Sequence, residues 1–202
     1  MQSEVLLEPM IPMPRKGLKG QLDRFIGPGA TPAELVLQLV PSAVAAVAAP
    51  LYALTLPFDW AAWQLGAIAI LGFDLVGGVL TNATAAAKRW YHRPGQGWRQ
   101  HMAFVSVHLF HIGLVALLFR GGDGLFFVGV SSYLLLAAGL ILASPLYLQR
   151  PIALGLYGLV LVCDRTLFTP TPGLEWFLPL FFLKLLISHL LKESPYCPDN
   201  SR

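Results

Sequence analysis

A chain of 202 residues that is 55% apolar and only 12% charged, with a mean hydropathy of +0.62, lies far from the roughly 25% charge of a soluble domain. The composition argues against a soluble protein and predicts an all-α, polytopic integral membrane bundle in a single domain. The net charge of +3 follows from basic residues at membrane boundaries and their attraction to anionic headgroups, so the expected partner is the lipid bilayer and not nucleic acid.

Residues 1–32 form a basic cytoplasmic segment. They lack the form of a cleavable signal peptide, because the basic cluster follows apolar residues and no small-residue cleavage site closes an uninterrupted apolar core. The segment reads first as a topogenic tail. Its alternative is a short interfacial helix over Gly17–Ile26, with Leu18, Leu22, Phe25 and Ile26 towards lipid and Lys19, Gln21 and Arg24 towards headgroups.

Six apolar runs follow, with the roughly 17 to 25 residues that a membrane helix requires: 33–56, 60–86, 101–119, 125–148, 152–168 and 174–191. The fifth is the shortest. Pro57, residues 91–99, residues 121–124, Pro151 and residues 170–173 separate them, since proline and glycine stop helices most readily. The membrane domain is therefore expected over 33–192, with a cytoplasmic tail at 193–202, and no internal repeat is evident.

Charge tests the six-span reading independently, because basic residues concentrate on the cytoplasmic side. With the N-terminus inside, the inner segments hold Arg15, Lys16, Lys19, Arg24, Lys88, Arg89, Arg93, Arg99, Arg150, Lys192 and Arg202, against Arg120 and Arg165 outside and Lys184 within the sixth span. Both termini are expected in the cytoplasm, and the cell (inner) membrane is the expected location, with an organelle membrane as the alternative. Cys163 and Cys197 then lie on different sides, which disfavours a disulfide. The sequon at Asn82 sits at the inner end of a span, away from glycosylation.

Against this background, Asp74, His108, His111 and Lys184 stand out inside apolar segments, with Asn82, His101 and His189 near span ends. A charge at mid-bilayer depth costs about 2.5 to 3.5 kcal/mol on insertion scales, so such residues pair, line water or perform chemistry. At about 1.5 Å per residue, His108 and Lys184 lie roughly 10 Å and His111 roughly 15 Å from the inner ends, with Asp74 deeper. At about 100° per residue, Asp74, Gly78, Thr81, Asn82, Ala85 and Lys88 share one face, and His101, Phe104, His108 and His111 share another. Gly77 and Gly78 suit close helix packing. The same geometry turns His189 about 140° away from Lys184, making it a weaker candidate, whereas Ser188 shares the lysine's face.

Two imidazoles one helical turn apart, His108 and His111, suit a divalent metal with Asp74 as third ligand. Haem, with His108 or His111 as axial ligand, is the less favoured cofactor. Hydrogen bonding between helices and proton transfer are the competing roles. Asn82 and His101 are candidate cofactor contacts. Lys184 either pairs with Asp74 or meets an anionic group. The cluster Lys88, Arg89, His92 and Arg93 reads first as an interface anchor, and alternatively as a rim that binds the phosphate of an anionic lipid.

No GxSxG elbow, Walker loop, HExxH or CxxC motif is present. The leading expectation is a membrane enzyme acting on a lipid or other apolar substrate, with Asp74, His108, His111 and Lys184 carrying metal-dependent or proton-transfer chemistry. The alternative is a proton-coupled transporter or a non-catalytic assembly protein, for which oligomerisation would build the pathway.

Overall fold

A computed structural model describes residues 12–193 as helices and connecting turns, with no strand among the described residues. The order is α1 (Gly17–Ile26), α2 (Pro32–Leu54), α3 (Ala62–Ala83), α4 (Ala85–Tyr91), α5 (Trp98–Val107), α6 (Leu109–Phe119), α7 (Gly124–Ala143), α8 (Leu146–Leu167) and α9 (Phe177–Phe182), which continues as a π-helix over Leu183–His189. Local sequence explains the starts. Glu34 N–H donates to Thr31 Oγ1 at 3.1 Å and Thr31 N–H donates to Glu34 Oε2 at 2.8 Å, a reciprocal cap that satisfies two otherwise unpaired amides of α2. Glu34 Oε1 also accepts the Ala86 N–H at 3.1 Å, so one carboxylate fixes the first turns of α2 and α4. Helices α2 and α3 approach closely through small residues: a Cβ on Gly72 would lie 2.9 Å from the Ala45 carbonyl oxygen, and one on Gly77 would lie 2.7 Å from Ser42 Oγ. This is the packing that replaces hydrophobic association inside a bilayer.

Five helices are long and apolar enough to cross a membrane: α2, α3, the α5–α6 pair over Trp98–Phe119, α7 and α8. The sixth apolar run is helical only over Phe177–His189, about 20 Å at about 1.5 Å per residue, against a hydrocarbon core of about 30 Å. Even so, residues 174–191 traverse the bundle. Near their start Glu175 accepts the Tyr52 hydroxyl at 3.2 Å, and at their finish the Leu191 carbonyl accepts from Lys88 Nζ at 2.6 Å. The expected count of about six is therefore close: five long helices and one short central crossing.

The basic segments meet at one end, hereafter the basic end. The Tyr91 hydroxyl reaches the Phe25 carbonyl at 2.9 Å, Lys88 reaches Leu191, and Arg150 pairs with Glu193. At the opposite end, Arg120 donates to the Thr169 carbonyl and to Thr171 Oγ1, each at 2.8 Å.

Three expected boundaries are corrected. The fifth span is a full α8 that runs through Pro151, while the sixth is the short one. The break falls instead at Ser144, which is extended (φ −78°, ψ 146°) ahead of Pro145, as residues preceding proline prefer. The second span does not continue to residue 86. Thr84 leaves the helix (ψ 151°) and caps α4 through Oγ1, so Ala85 and Lys88 do not extend the α3 face. Residues 17–26 form the helix rather than the tail. Leu18 and Phe25 are exposed on α1 and Ile26 is buried, while Arg15 grips Asp23 at 2.6 Å. The hydrogen bonds from the Arg15 side chain and amide hold the Asp23 carboxyl down to about 2. Cys197 and Arg202 lie outside the described residues.

Candidate functional site

Two irregularities in helical hydrogen bonding place the polar side chains. At His108, between α5 and α6, the backbone tightens: His108 N–H donates to Val105 O and His111 N–H to His108 O, both at 3.0 Å and both spanning three residues. In the last crossing it widens instead, and Leu190 N–H donates to Leu185 O at 3.1 Å across five residues. Wide turns of this kind are rare and recur at functional sites.

Three side chains from three elements meet at Asp74 on α3. Lys184 Nζ donates to Asp74 Oδ2 at 2.6 Å, and His111 Nε2 lies 3.1 Å from the same oxygen. The lysine is nearly enclosed, its side chain 4% exposed, whereas the Asp74 side chain is 32% exposed. Gly78, one turn along α3, makes room for this arrangement, since a Cβ there would overlap Lys184 Cε and Cδ. The two adjacent glycines therefore divide their roles: Gly77 admits α2, and Gly78 admits the lysine. His108 stacks on His111 with ring centres 5.1 Å apart and planes 13° apart, and its Nδ1 lies 2.8 Å from the Phe104 carbonyl oxygen. A carbonyl only accepts, so this nitrogen carries the hydrogen and Nε2 is the free acceptor of the neutral ring.

The basic end holds the other three histidines. His189 Nε2 lies 3.1 Å from His101 Nδ1, His92 Nε2 donates to the His189 carbonyl at 2.9 Å, and the His92 and His101 rings stack at 4.6 Å. Despite its weaker ranking by helical phase, His189 is buried, at 2% exposure, and its ring packs against those of His92 and His101. The 140° argument assumed a regular α-helix, whereas closing hydrogen bonds at the fifth residue brings positions 184 and 189 towards one side. Phe104 separates the two groups of rings, 3.8 Å from His189 and 4.7 Å from His108. Helical spacing puts Phe104 on the histidine face but assigns it no role.

The remaining expected residues are placed as follows. Lys88 is buried at 3% exposure, where its ammonium satisfies the Leu191 carbonyl and lies 3.9 Å from Glu193. Burial pushes it down to about 8, against the pull of Glu193. Arg93 folds over the Trp90 ring at 3.6 Å, which fits an interface anchor. Arg89 is half-buried on α4. His92 is pushed down to about 4 by burial, with His101 and Lys88 adding to the effect. Asn82 is buried near the end of α3 with its Nδ2 unpartnered, and it is not among the residues that meet at Asp74.

The metal expectation for Asp74, His108 and His111 does not match this geometry. Among the described residues no group of three or more His, Cys, Asp or Glu side chains is arranged to hold a metal ion. Asp74 Oδ2 is engaged by Lys184 and His111, and the two α5–α6 histidines stack face to face instead of converging. No protein-family model, curated protein or solved structure matches the chain, so the functional reading rests on this geometry.

Proposed function

We propose that this is a multi-pass membrane enzyme in which Asp74, poised by Lys184 and His111, exchanges a proton with a lipid or other apolar substrate that reaches it from within the bilayer. The observation that carries the reading is the asymmetry of the carboxylate. Two partners hold one oxygen, Oδ2, from the protein side, while about a third of the side chain stays exposed on a helix long enough to cross a membrane. A carboxylate positioned by hydrogen bonds and open on one side is what general acid–base chemistry requires, and Lys184 supplies a fixed positive charge beside any negative charge that develops.

The experiment incubates purified protein with a total membrane lipid extract and compares lipid species by mass spectrometry before and after. Wild-type protein is expected to consume one species and form another, and Asp74→Asn is expected to lose this turnover. Unchanged lipid profiles with both proteins would refute the enzyme. The same Lys184–Asp74 pair favours a second reading, a proton-coupled carrier, because protonating Asp74 releases its lysine. Proton-dependent solute uptake into vesicles, abolished by Asp74→Asn, would support that reading.

A further inference from the structure

Beyond the Asp74 centre, the geometry points to a proton path: the chain's five histidines carry protons between the basic end of the bundle and Asp74, with the Phe104 ring as its interruption. This inference rests on the reading that Asp74 exchanges a proton. The five histidines come from four different parts of the chain: the turn after α4, α5 with its junction to α6, α6, and the π-helix. They nonetheless form one file, His92 on His101, His101 to His189, His189 on Phe104, Phe104 on His108, His108 on His111, and His111 to Asp74. Packing alone gives no reason for imidazoles to line up in this order on a course that ends at a carboxylate.

The ring nitrogens give the steps. A proton taken up on His101 Nε2 lets His101 pass its Nδ1 proton to His189 Nε2 across 3.1 Å. His189 then releases the proton on Nδ1, an atom that is buried without a protein partner. On the far side of Phe104, His111 Nδ1 is likewise buried without a partner. A proton accepted there lets His111 pass its Nε2 proton to Asp74 Oδ2 across 3.1 Å. His108 is fixed through Nδ1 to the Phe104 carbonyl, with its ring against both Phe104 and His111. One proton enters and one arrives, only N–H and O–H bonds change, and nothing is oxidised or reduced. Buried polar atoms normally find a partner, through ordered water where protein offers none. Water is the carrier needed between His189 and the His108–His111 pair, and Phe104 determines whether it can bridge them.

The test uses the full chain in lipid nanodiscs. A light-triggered fall in pH is followed by time-resolved infrared spectroscopy of the carboxylic C=O band, with Asp74→Asn identifying the Asp74 signal. His101→Gln and His189→Gln are expected to slow the appearance of that band by about a hundredfold, the lower end of what a positioned proton-transfer group contributes, without changing its final amplitude at low pH. Phe104→His, which fills the interruption with a sixth imidazole, is expected to speed it. If His189→Gln does not fold, His101→Gln and Phe104→His decide the question. A band that appears at the wild-type rate in the histidine variants overturns the path while leaving the Asp74 reading intact. A wild-type protein with no Asp74 band overturns both.

Discussion

Helix α8 and the last crossing are neighbours in the chain and in the bundle, yet α8 buries only Ala153 and Val160, whereas the last crossing buries Phe177, Phe181, Lys184, Leu186 and His189. The longer and more regular helix lies at the periphery, and the shorter, irregular one at the centre. Backbone hydrogen bonding accounts for this. A regular helix satisfies its own backbone and can face lipid, while irregular backbone is tolerated only where protein supplies partners. Near the end of the π-helix those partners are side chains: His92 donates to the His189 carbonyl and Lys88 to the Leu191 carbonyl. The residues that expectation placed on a phosphate-binding rim are thus used, in part, to close the central crossing.

The largest effect is expected from breaking the ion pair that ties this crossing to α3. Asp74→Ala leaves Lys184 charged and enclosed, and unpairing a buried ion in this way costs about 3–5 kcal/mol. Adding Lys184→Met removes the stranded charge and should restore most of the stability without restoring turnover. Thermal unfolding in detergent, read for the two single variants and the double, gives the coupling. If the double variant is no more stable than Asp74→Ala, the pair does not hold the crossing in place.

The contrast also explains which parts of the protein were legible in sequence. Apolar run length identified the helices, and charge correctly grouped the segments that meet at the basic end, because both follow from transfer into lipid and need no knowledge of neighbours. Asp74, Lys184 and His111 were identifiable as site candidates because polar groups inside apolar runs are expensive wherever they pack. What failed were inferences that assumed uniform helical geometry. Thr84 stopped a face extrapolated to Lys88, and the widened turn after Leu183 brought His189 into the file. Phe104 was visible on the histidine face, but the sequence contained no signal that its ring would separate two groups of imidazoles. Pro151 shows the converse error, a proline read as a break that the first turns of a lipid-facing helix absorb.

Two glycines sharpen the comparison with a smaller effect. Gly78→Ala forces a methyl group into Lys184, and overpacking of this kind typically costs about 1–3 kcal/mol. On α8, a Cβ at Gly155 meets nothing within 4 Å, so Gly155→Ala should gain about 0.4–1 kcal/mol by restricting the unfolded chain. Opposite shifts in melting temperature are the expected result. Equal shifts would mean that the room left by Gly78 is not needed by the lysine.

The smallest effect concerns pH and the basic end of the same crossing. His92 donates to the His189 carbonyl and is surrounded by His101, Lys88 and Lys192, and it is pushed down to about 4 from an ordinary 6.5, by burial first and then by these positive neighbours. Between those two values the unfolded chain binds a proton at this position that the folded chain does not, so stability falls as pH drops through about 6.5 and the loss is complete near 4. At pH 5 these two values alone give about 2 kcal/mol, which solvent screening of the partly exposed ring reduces to on the order of 1 kcal/mol, or roughly 2–4 °C for a chain of this size. Lowering the pH from 7 to 5 should therefore depress the melting temperature of the wild type more than that of His92→Gln, which keeps a side-chain donor for the His189 carbonyl and cannot bind the proton. If the two proteins lose stability in parallel, the acid sensitivity of the basic end belongs to other groups, and His92 contributes only its hydrogen bond.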